Sequence, residues 1–563
     1  MNYKICIDDR NYENWNTFID GSHEPINLPI LNPLKNKLFT GDVFSLNSDG
    51  TTSLIHSTLK FSKNIPGVLM LSGKTFGRKK NKLFYKLIPD DKRLPIFLVA
   101  YPQEKNSFSK HIYNKYVVFK FNHWNDKHPE AIITNSLGNV NELNNFYEYQ
   151  LYCKSLNASI QNFSRNTAKA LRVKTEDEYI DCIMNKFPSI ENRLNEYIIS
   201  IDPKVSGDFD DAFSLKILSD THYIISIYIS NVSIWMDSLE LWESFSQRIA
   251  TIYLPDRKRP MLPTCLADCL CSLIEKSRRF AFTCDITVKD NQIINTKYLN
   301  TLIKLHKNYV YEEEDMKKDE MYKKMFTLIK NLSKKYKLYS NINDSHDIIH
   351  YLMVLMNYYS AKQMMKCKNG IYRSAILNKN ANLPNHLSQE LVQFINMWNS
   401  SGGQYVVYND ELNHEILNLE SYIHITSPIR RLPDLLNLIQ IQKNLNLLSL
   451  SESSNLFYQN WLNRLDYINT TMRAIRKVQV DCNLLNYVYN NEDVLKKKFK
   501  GSVFDMIERN DGLFQYICYI EEIKLVSRIT LREKLIPYQD VDVKLYLFID
   551  EEGIKKKIRI QKL

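Results

Sequence analysis

Ile201 to Phe213 reads IDPKVSGDFDDAF and sets Asp202, Asp208, Asp210 and Asp211 within ten residues around Gly207. Carboxylates this close raise one another's pKa, because ionising each is opposed by the charge already on its neighbours. A divalent ion removes that conflict, and an all-oxygen ligand set selects hard Mg²⁺ or Mn²⁺ over zinc. Mg²⁺ keeps coordination positions open for water and phosphate oxygens, so such a cluster suits phosphodiester cleavage by two-metal in-line displacement. The alternative is an acidic surface loop or a Ca²⁺ loop, although the EF-hand spacing with its closing glutamate is absent.

Working outward, Ile198 to Ile201 predicts a strand leading into the cluster. The stretches LKIL and YIISIYIS, joined by a turn at SDT, predict a hairpin leaving it. Beyond them Asp237 reads as a helix N-cap, and Leu239, Trp242, Phe245, Ile249 and Ile252 fall at helical spacing, predicting an amphipathic helix stopped by Pro255. Helical patterns recur at about 319–337, 346–367, 386–398, 433–446 and 457–490, so a strand-bearing core is wrapped by helices. A second segment, YIHITSPIRRLPDLL at 422–436, places Ser427, Arg430 and Arg431 just before a helix. Arginine forks match phosphate oxygens and helix N-termini favour anions, though a capped helix start with exposed arginines has the same pattern.

The two segments together resemble the signature of the RNase II/RNB superfamily of 3′-to-5′ exoribonucleases, which includes the exosome catalytic subunit. ATIYLPDRKRPMLPTCLADCLCSLIEKSRRFAFTCDI at 250–286 is similar to a further family region, as are HKNYVYEEE and HEILNLESYIHITSPIRR. The resemblance implies an α+β multidomain fold: OB-type, cold-shock-like barrels over 1–58 and 59–150, and a helical connector over 151–197. A mixed α/β RNB catalytic domain over 198–492 and an S1-like RNA-binding barrel over 496–563 follow. It implies that Asp202, Asp208, Asp210 and Asp211 organise Mg²⁺ or Mn²⁺ and the attacking water. Asp210, Asp208 and Arg430 would be catalytic, with Ser427, Arg431 and His424 around the phosphate. Tyr253 would stack on the 3′-terminal bases and fix the length of the final product, and Tyr311 would contact nucleotides near the same end, where core packing is the other use of such rings. The implied partner is single-stranded RNA, with subunits of an RNA-decay complex as further candidates.

Three departures stand out. His350 and Tyr351 replace a family Glu-Glu pair on a helix, with Asp347 one turn earlier. A family β-hairpin is missing between Tyr336 and Ser345, and Asn231 stands where the family has Asp.

The ends read as β. YKICI, GDVFSL, GVLMLSGKTFG, KLFYKLI, PIFLVAY and KYVVFKF predict short strands of small barrels, and the alternation of Val541, Val543, Leu545, Leu547 and Ile549 predicts another near the C-terminus. Between Lys60 and Arg93 ten Lys/Arg face two Asp, with Phe76, Phe84 and Tyr85 interleaved. That mixture is either a single-strand binding groove or a solvated edge that resists aggregation.

The 563 residues, 44% hydrophobic and 24% charged, are long enough for three or four domains and exclude a wholly disordered or fibrous chain. The net charge of +11 favours a polyanionic partner. Ten scattered cysteines predict a reducing compartment, with Cys265, Cys269 and Cys271 as buried thiols. The opening MNYKICIDDR lacks signal-peptide character, and the longest uncharged apolar stretch, Tyr223 to Met236, is too short for a bilayer. An intracellular, soluble protein of cytoplasm or nucleus is expected, and a composition with only 14 glycines and abundant Asn, Lys, Ile and Tyr, as an AT-rich genome encodes, suits a large DNA virus or an AT-rich protist. SGKT at 72–75 has the wrong glycine spacing for a P-loop, so no nucleotide cofactor is expected.

Overall fold

The computed structural model describes the chain except for residues 80, 81, 103–111, 205, 337–341, 377–382, 385, 401, 410 and 411. The site of the expected missing hairpin lies partly outside the described residues. The fold is mixed α/β and multidomain, in two compact units: residues 1–157, 254–257 and 476–563, and residues 158–253 and 258–475.

The first unit is built of three antiparallel-rich sheets. In the second of these, Ile65–Met70 pairs with both Lys115–His123 and Lys82–Pro89, so the sheet closes on itself into a barrel. Closure removes the unpaired backbone edge that an open sheet of this size would expose. Phe97, Phe119, Leu87 and Val117 fill the interior at 0% exposure. Tyr85 belongs to the same core, so it does not stack on a nucleotide; its alternation with Phe84 and Lys86 puts it on the inner face. Phe76 is exposed, with the Lys86 ammonium 5.2 Å from its ring centroid. The last sheet runs Leu525–Leu531, Phe514–Ile520, Lys498–Glu508, Asp540–Ile549, Lys556–Lys562.

The second unit is organised by a seven-stranded sheet in the order Glu191–Arg193, Gln292–Lys304, Arg278–Lys289, His222–Ser230, Asp211–Ser219, Ile199–Asp202, Lys307–Val310. The hairpin expected after the aspartates is present, with Asp211 opposite Ile229. Ile225, Ile227, Ile229, Phe282 and Cys284 are fully buried and pack with the helices Glu320–Lys335 and Ser345–Lys366 through Met325, Ile348, Leu352 and Leu355.

Several expectations are corrected. Residues 239–252 are not a helix: Val232–Ser238 is helical, a 3₁₀ turn covers Trp242–Ser244, and Ile252–Tyr253 is already strand. Leu239, Leu241, Trp242, Ile249 and Ile252 are all buried, so an irregular segment enclosed on several sides mimicked helical spacing. Asp237 ends the helix instead of starting one, accepting hydrogen bonds from Trp242 Nε1 and from the Ser451 backbone N–H. The span 457–490 divides into Glu452–Leu462 and Leu465–Asn490. Cys269 is exposed and Cys265 half-buried; only Cys271 of that trio is buried. Among the described residues no helix is long and apolar enough to cross a membrane.

Candidate active site

The strand Ile199–Asp202 delivers Asp202 and the strand Asp211–Ser219 begins with Asp211, so the acidic loop spans two neighbouring strands of the central sheet. The loop is fixed by Ser272, whose hydroxyl accepts from the Phe209 N–H at 2.9 Å and donates to the Gly207 carbonyl at 3.1 Å. Gly207 does not need a left-handed backbone here.

Opposite the aspartates lies the loop before the helix Leu432–Asn444. Asp434, fully buried, accepts from the Ser427 N–H at 2.8 Å and from Arg431 Nη2 at 2.7 Å, which folds the loop back on the helix start. Arg431 is therefore committed to Asp434. Arg430 points the other way. Its Nε donates to Asp210 Oδ2 at 3.0 Å and its Nη2 to Ser427 Oγ at 3.2 Å, while the Ile429 N–H takes Asp210 Oδ1 at 3.0 Å. Residues 219 and 220 apart in sequence thus close on one carboxylate. The Thr251 N–H bonds the Arg430 carbonyl at 3.0 Å, and this carries the chain on to Tyr253.

Tyr253 is 37% exposed and its hydroxyl donates to Asp208 Oδ2 at 2.9 Å. Lys258 Nζ reaches Asp208 Oδ1 at 3.2 Å and Asp268 Oδ1 at 2.9 Å. Tyr311 stacks face to face on His346 with centroids 3.7 Å apart. His424 is set further along the loop, its Nδ1 2.8 Å from the Tyr405 hydroxyl. Sequence reasoning passed over Lys258, Asp268, Ser272 and Asp434. Asp434 was findable, three residues after Arg431 at the start of a helix; the others act across chain separations with no local pattern.

Burial pushes Asp210 up to about 7, opposed by Arg430 and the Ile429 N–H. Burial also lifts Asp202 to about 6, and it raises Asp211 well above the carboxylate range, with Asp202 and Asp210 adding repulsion. Asp202 Oδ2 is buried with no hydrogen-bond partner. Three crowded carboxylates that resist ionising together, one with an orphaned oxygen, have the donor chemistry that a hard divalent cation takes. Among the described residues no three acidic, histidine or cysteine side chains are gathered tightly enough to enclose an ion. Asp208 in particular gives both oxygens to Tyr253 and Lys258.

The departures also have physical accounts. Tyr351 is fully buried, its hydroxyl directed to the Tyr336 carbonyl, and burial lowers the pKa of His350. Asp347 accepts from the Asn343 N–H at 2.7 Å at the helix start. Asn231 donates to Asn300 Oδ1 at 2.8 Å and Gln442 Oε1 at 2.9 Å. A carboxylate there would set oxygen against oxygen, so the amide suits this buried network.

An RNB domain model matches residues 192–346 and 323–447, and a model of the Dis3-like cold-shock domain 2 matches residues 84–148. The chain belongs to the RNB superfamily. This RNB protein is 27% identical to ribonuclease R of Buchnera aphidicola over 331 residues, 44% of this chain and 45% of that protein. The match therefore spans about half the length of that relative. In fold it is similar to the apo form of Mycoplasma genitalium RNase R, with TM-score 0.70 at 16% identity over 99% of this chain and 100% of that one. The Mycoplasma enzyme is also known with ribose-methylated single-stranded RNA, at TM-score 0.68 and 15% identity over the whole of both chains. The RNB protein is similar as well to yeast Ssd1, a pseudonuclease, with TM-score 0.59 at 12% identity over 97% of this chain and 80% of that one.

Proposed function

We propose that the chain is a divalent-metal-dependent 3′-to-5′ exoribonuclease that hydrolyses single-stranded RNA to 5′-nucleoside monophosphates. The observation that carries this reading is the closure of Arg430 and the Ile429 N–H on Asp210, which sets a guanidinium beside the crowded aspartates. Asp202, Asp210 and Asp211 would hold Mg²⁺ or Mn²⁺. Such an ion lowers the pKa of bound water and neutralises charge on a phosphoryl oxygen. Arg430, 45% accessible along its side chain, would fork the phosphate while Ser427 and Asp210 fix its approach. Arg431 and His424 would act behind it, holding the loop through Asp434 and Tyr405. The domain boundaries given above belong to this proposal, with the barrels as the strand's first grip. The groove of about 1110 Å³ on the last sheet, lined by Lys477, Arg528, Lys557, Arg559 and Lys562, supports that grip. RNA-bound forms of the Mycoplasma neighbour support single-stranded RNA as ligand, and RNA-decay subunits as partners remain part of the proposal.

Tyr253→Ala is expected to leave end-products longer by one or more nucleotides, because base stacking contributes about 1–3 kcal/mol at the 3′ end. The product ladder on a denaturing gel checks this, and an unchanged ladder removes Tyr253 from the clamp.

A second reading, a catalytically silent RNA-binding or scaffold member of the fold, is favoured by one observation: Asp208 is engaged by Lys258. Incubating the protein with 3′-labelled and 5′-labelled RNA, with Mg²⁺ or EDTA, decides between the two. Labelled mononucleotide released early from the 3′ end, and only with metal, supports the nuclease. Intact RNA retained in a complex supports the scaffold.

A further inference from the structure

The strand Lys307–Val310 runs parallel to Ile199–Asp202, and just past its end the Tyr311 N–H donates to the Asp202 carbonyl at 3.2 Å. Burial raises the Tyr311 hydroxyl above the usual phenol range, with the charges of Asp211 and Asp202 adding to it, so the ring stands at the acidic loop. The ring itself is spent on packing. One face lies on the His346 imidazole, centroids 3.7 Å apart and planes within 11° of parallel, and the half-buried remainder rests against the core of the second unit. His346, the second residue of the helix Ser345–Lys366, stays exposed although one of its faces is covered. The neighbouring residues lock this pair. The Ser345 N–H and hydroxyl both donate to Glu312 Oε1, at 2.9 and 2.7 Å, and the Glu312 N–H donates to the Ser345 hydroxyl at 3.3 Å. Glu312 takes a left-handed backbone, φ 59°, which a residue other than glycine adopts only where its surroundings hold it there. Two adjacent residues on each of two elements are thus fastened by hydrogen bonds and by rings together.

Resting on the RNA reading above, and on no bound ion, we propose that His346 is a base-stacking residue: its outer face receives one of the last two bases of an RNA 3′ end, and Tyr311 supports it from behind. Aromatic platforms hold single strands with little regard to sequence, because every base has a π-face. An imidazole already seated on a phenol ring has no rotamer freedom left to lose when the base arrives, so the platform is preorganised. The ring that this pair presents to solvent is His346, and Tyr311 is a positioning residue for it. Tyr253, tied to Asp208, is the other exposed ring at the acidic loop. A strand end therefore meets two platforms, one reached through Asp208 and one through Asp202.

The test mixes the full chain with RNA oligonucleotides that carry 2-aminopurine as the last or the penultimate base, in EDTA so that the strand stays intact. Stacking quenches the probe, and the anisotropy of a dye on the 5′ end reports binding of the same strand. The unaltered protein and His346→Phe are expected to quench the probe at one of the two positions. His346→Leu and His346→Gln are expected to lose that quench and to bind the strand about fivefold more weakly. The two ringless replacements differ in polarity and each is checked for an unchanged melting curve, so a folding defect in one leaves the other to decide. Rescue by phenylalanine separates stacking from a structural or hydrogen-bonding role, which a phenyl ring would not restore. An unquenched probe in the bound strand, the same quench in His346→Leu and His346→Gln, or its loss in His346→Phe overturns the role of His346, while binding seen by anisotropy keeps the RNA reading. No binding of either strand overturns both.

Discussion

Asp210→Asn is expected to slow RNA hydrolysis by about 10³-fold or more while RNA affinity stays within about threefold, because the substitution removes charge stabilisation from the reaction and not from binding. Asp210 is 3% exposed and both oxygens are occupied, one by the Ile429 N–H and one by Arg430 Nε. An asparagine keeps the shape and can satisfy one of these donors through its oxygen. Its amide nitrogen then faces the other donor, so either Arg430 or the Ile429 N–H loses its acceptor. Arg430 is the one able to give way, since 45% of its side chain is accessible and water can replace the lost bond. The cost to folding is then about 1 kcal/mol. The cost to chemistry is larger, because the proposed metal set loses one of three charges and the guanidinium loses the anchor that aims it. Binding of the RNA strand, spread over many phosphate contacts elsewhere, loses none of these and even gains from one fewer negative charge. Single-turnover assays on 3′-labelled RNA and fluorescence anisotropy on the same oligonucleotide check the two halves separately. Hydrolysis above a tenth of the unaltered rate would remove Asp210 from the mechanism.

The aspartate cluster was legible in the sequence because its chemistry is local: four acids within one loop raise a question that only a few answers fit. The hairpin behind it was legible for the same reason, since alternation over Asp211–Ser219 and His222–Ser230 is a property of adjacent residues. What the sequence could not display is which distant group each aspartate meets. Asp208 meets Lys258 50 residues on, and Asp210 meets Arg430 220 residues on. The second pairing was approached because SPIRR has its own local signature, whereas a lysine between an arginine and another arginine carries none. The segment 239–252 misled for a physical reason as well. Spacing reports that residues are buried at intervals, and an irregular chain enclosed by Phe457 and Trp461 on one side satisfies it as well as a helix does. Tyr85 illustrates the converse: an aromatic among lysines looked like a stacking platform, but in a barrel strand its neighbours on either side face outward and it faces in.

The sheet that carries the cluster depends on a buried ion pair, and Asp285→Ala is expected to destabilise the second unit by about 3 kcal/mol, lowering its melting midpoint by about 6 °C or more. Arg193 meets Asp285 in a two-pronged bond, Nη1 to Oδ1 at 2.9 Å and Nη2 to Oδ2 at 2.7 Å, with side-chain exposures of 6% and 13%. Glu191 takes the remaining Nε at 2.8 Å, but 46% of its side chain is exposed, so it compensates the guanidinium only partly. Removing Asp285 leaves a buried charge short of its main partner and strips the Ser226 hydroxyl of its acceptor at 2.6 Å. The pair binds the first strand of the sheet to its third across the intervening strand, and through Tyr228 and Ser214 it reaches the strand that Asp211 begins. Asp285→Asn, which preserves one acceptor, is expected to lose about half as much. Replacing both partners with apolar residues of similar volume should recover most of the loss, since breaking such a pair costs more than omitting it. Urea titration of the three variants measures this, and a loss under about 1 kcal/mol for Asp285→Ala would show that Glu191 and solvent suffice for Arg193. The same variant separates scaffold from chemistry: well below its midpoint Asp285→Ala is expected to keep the hydrolysis that Asp210→Asn lacks at every temperature.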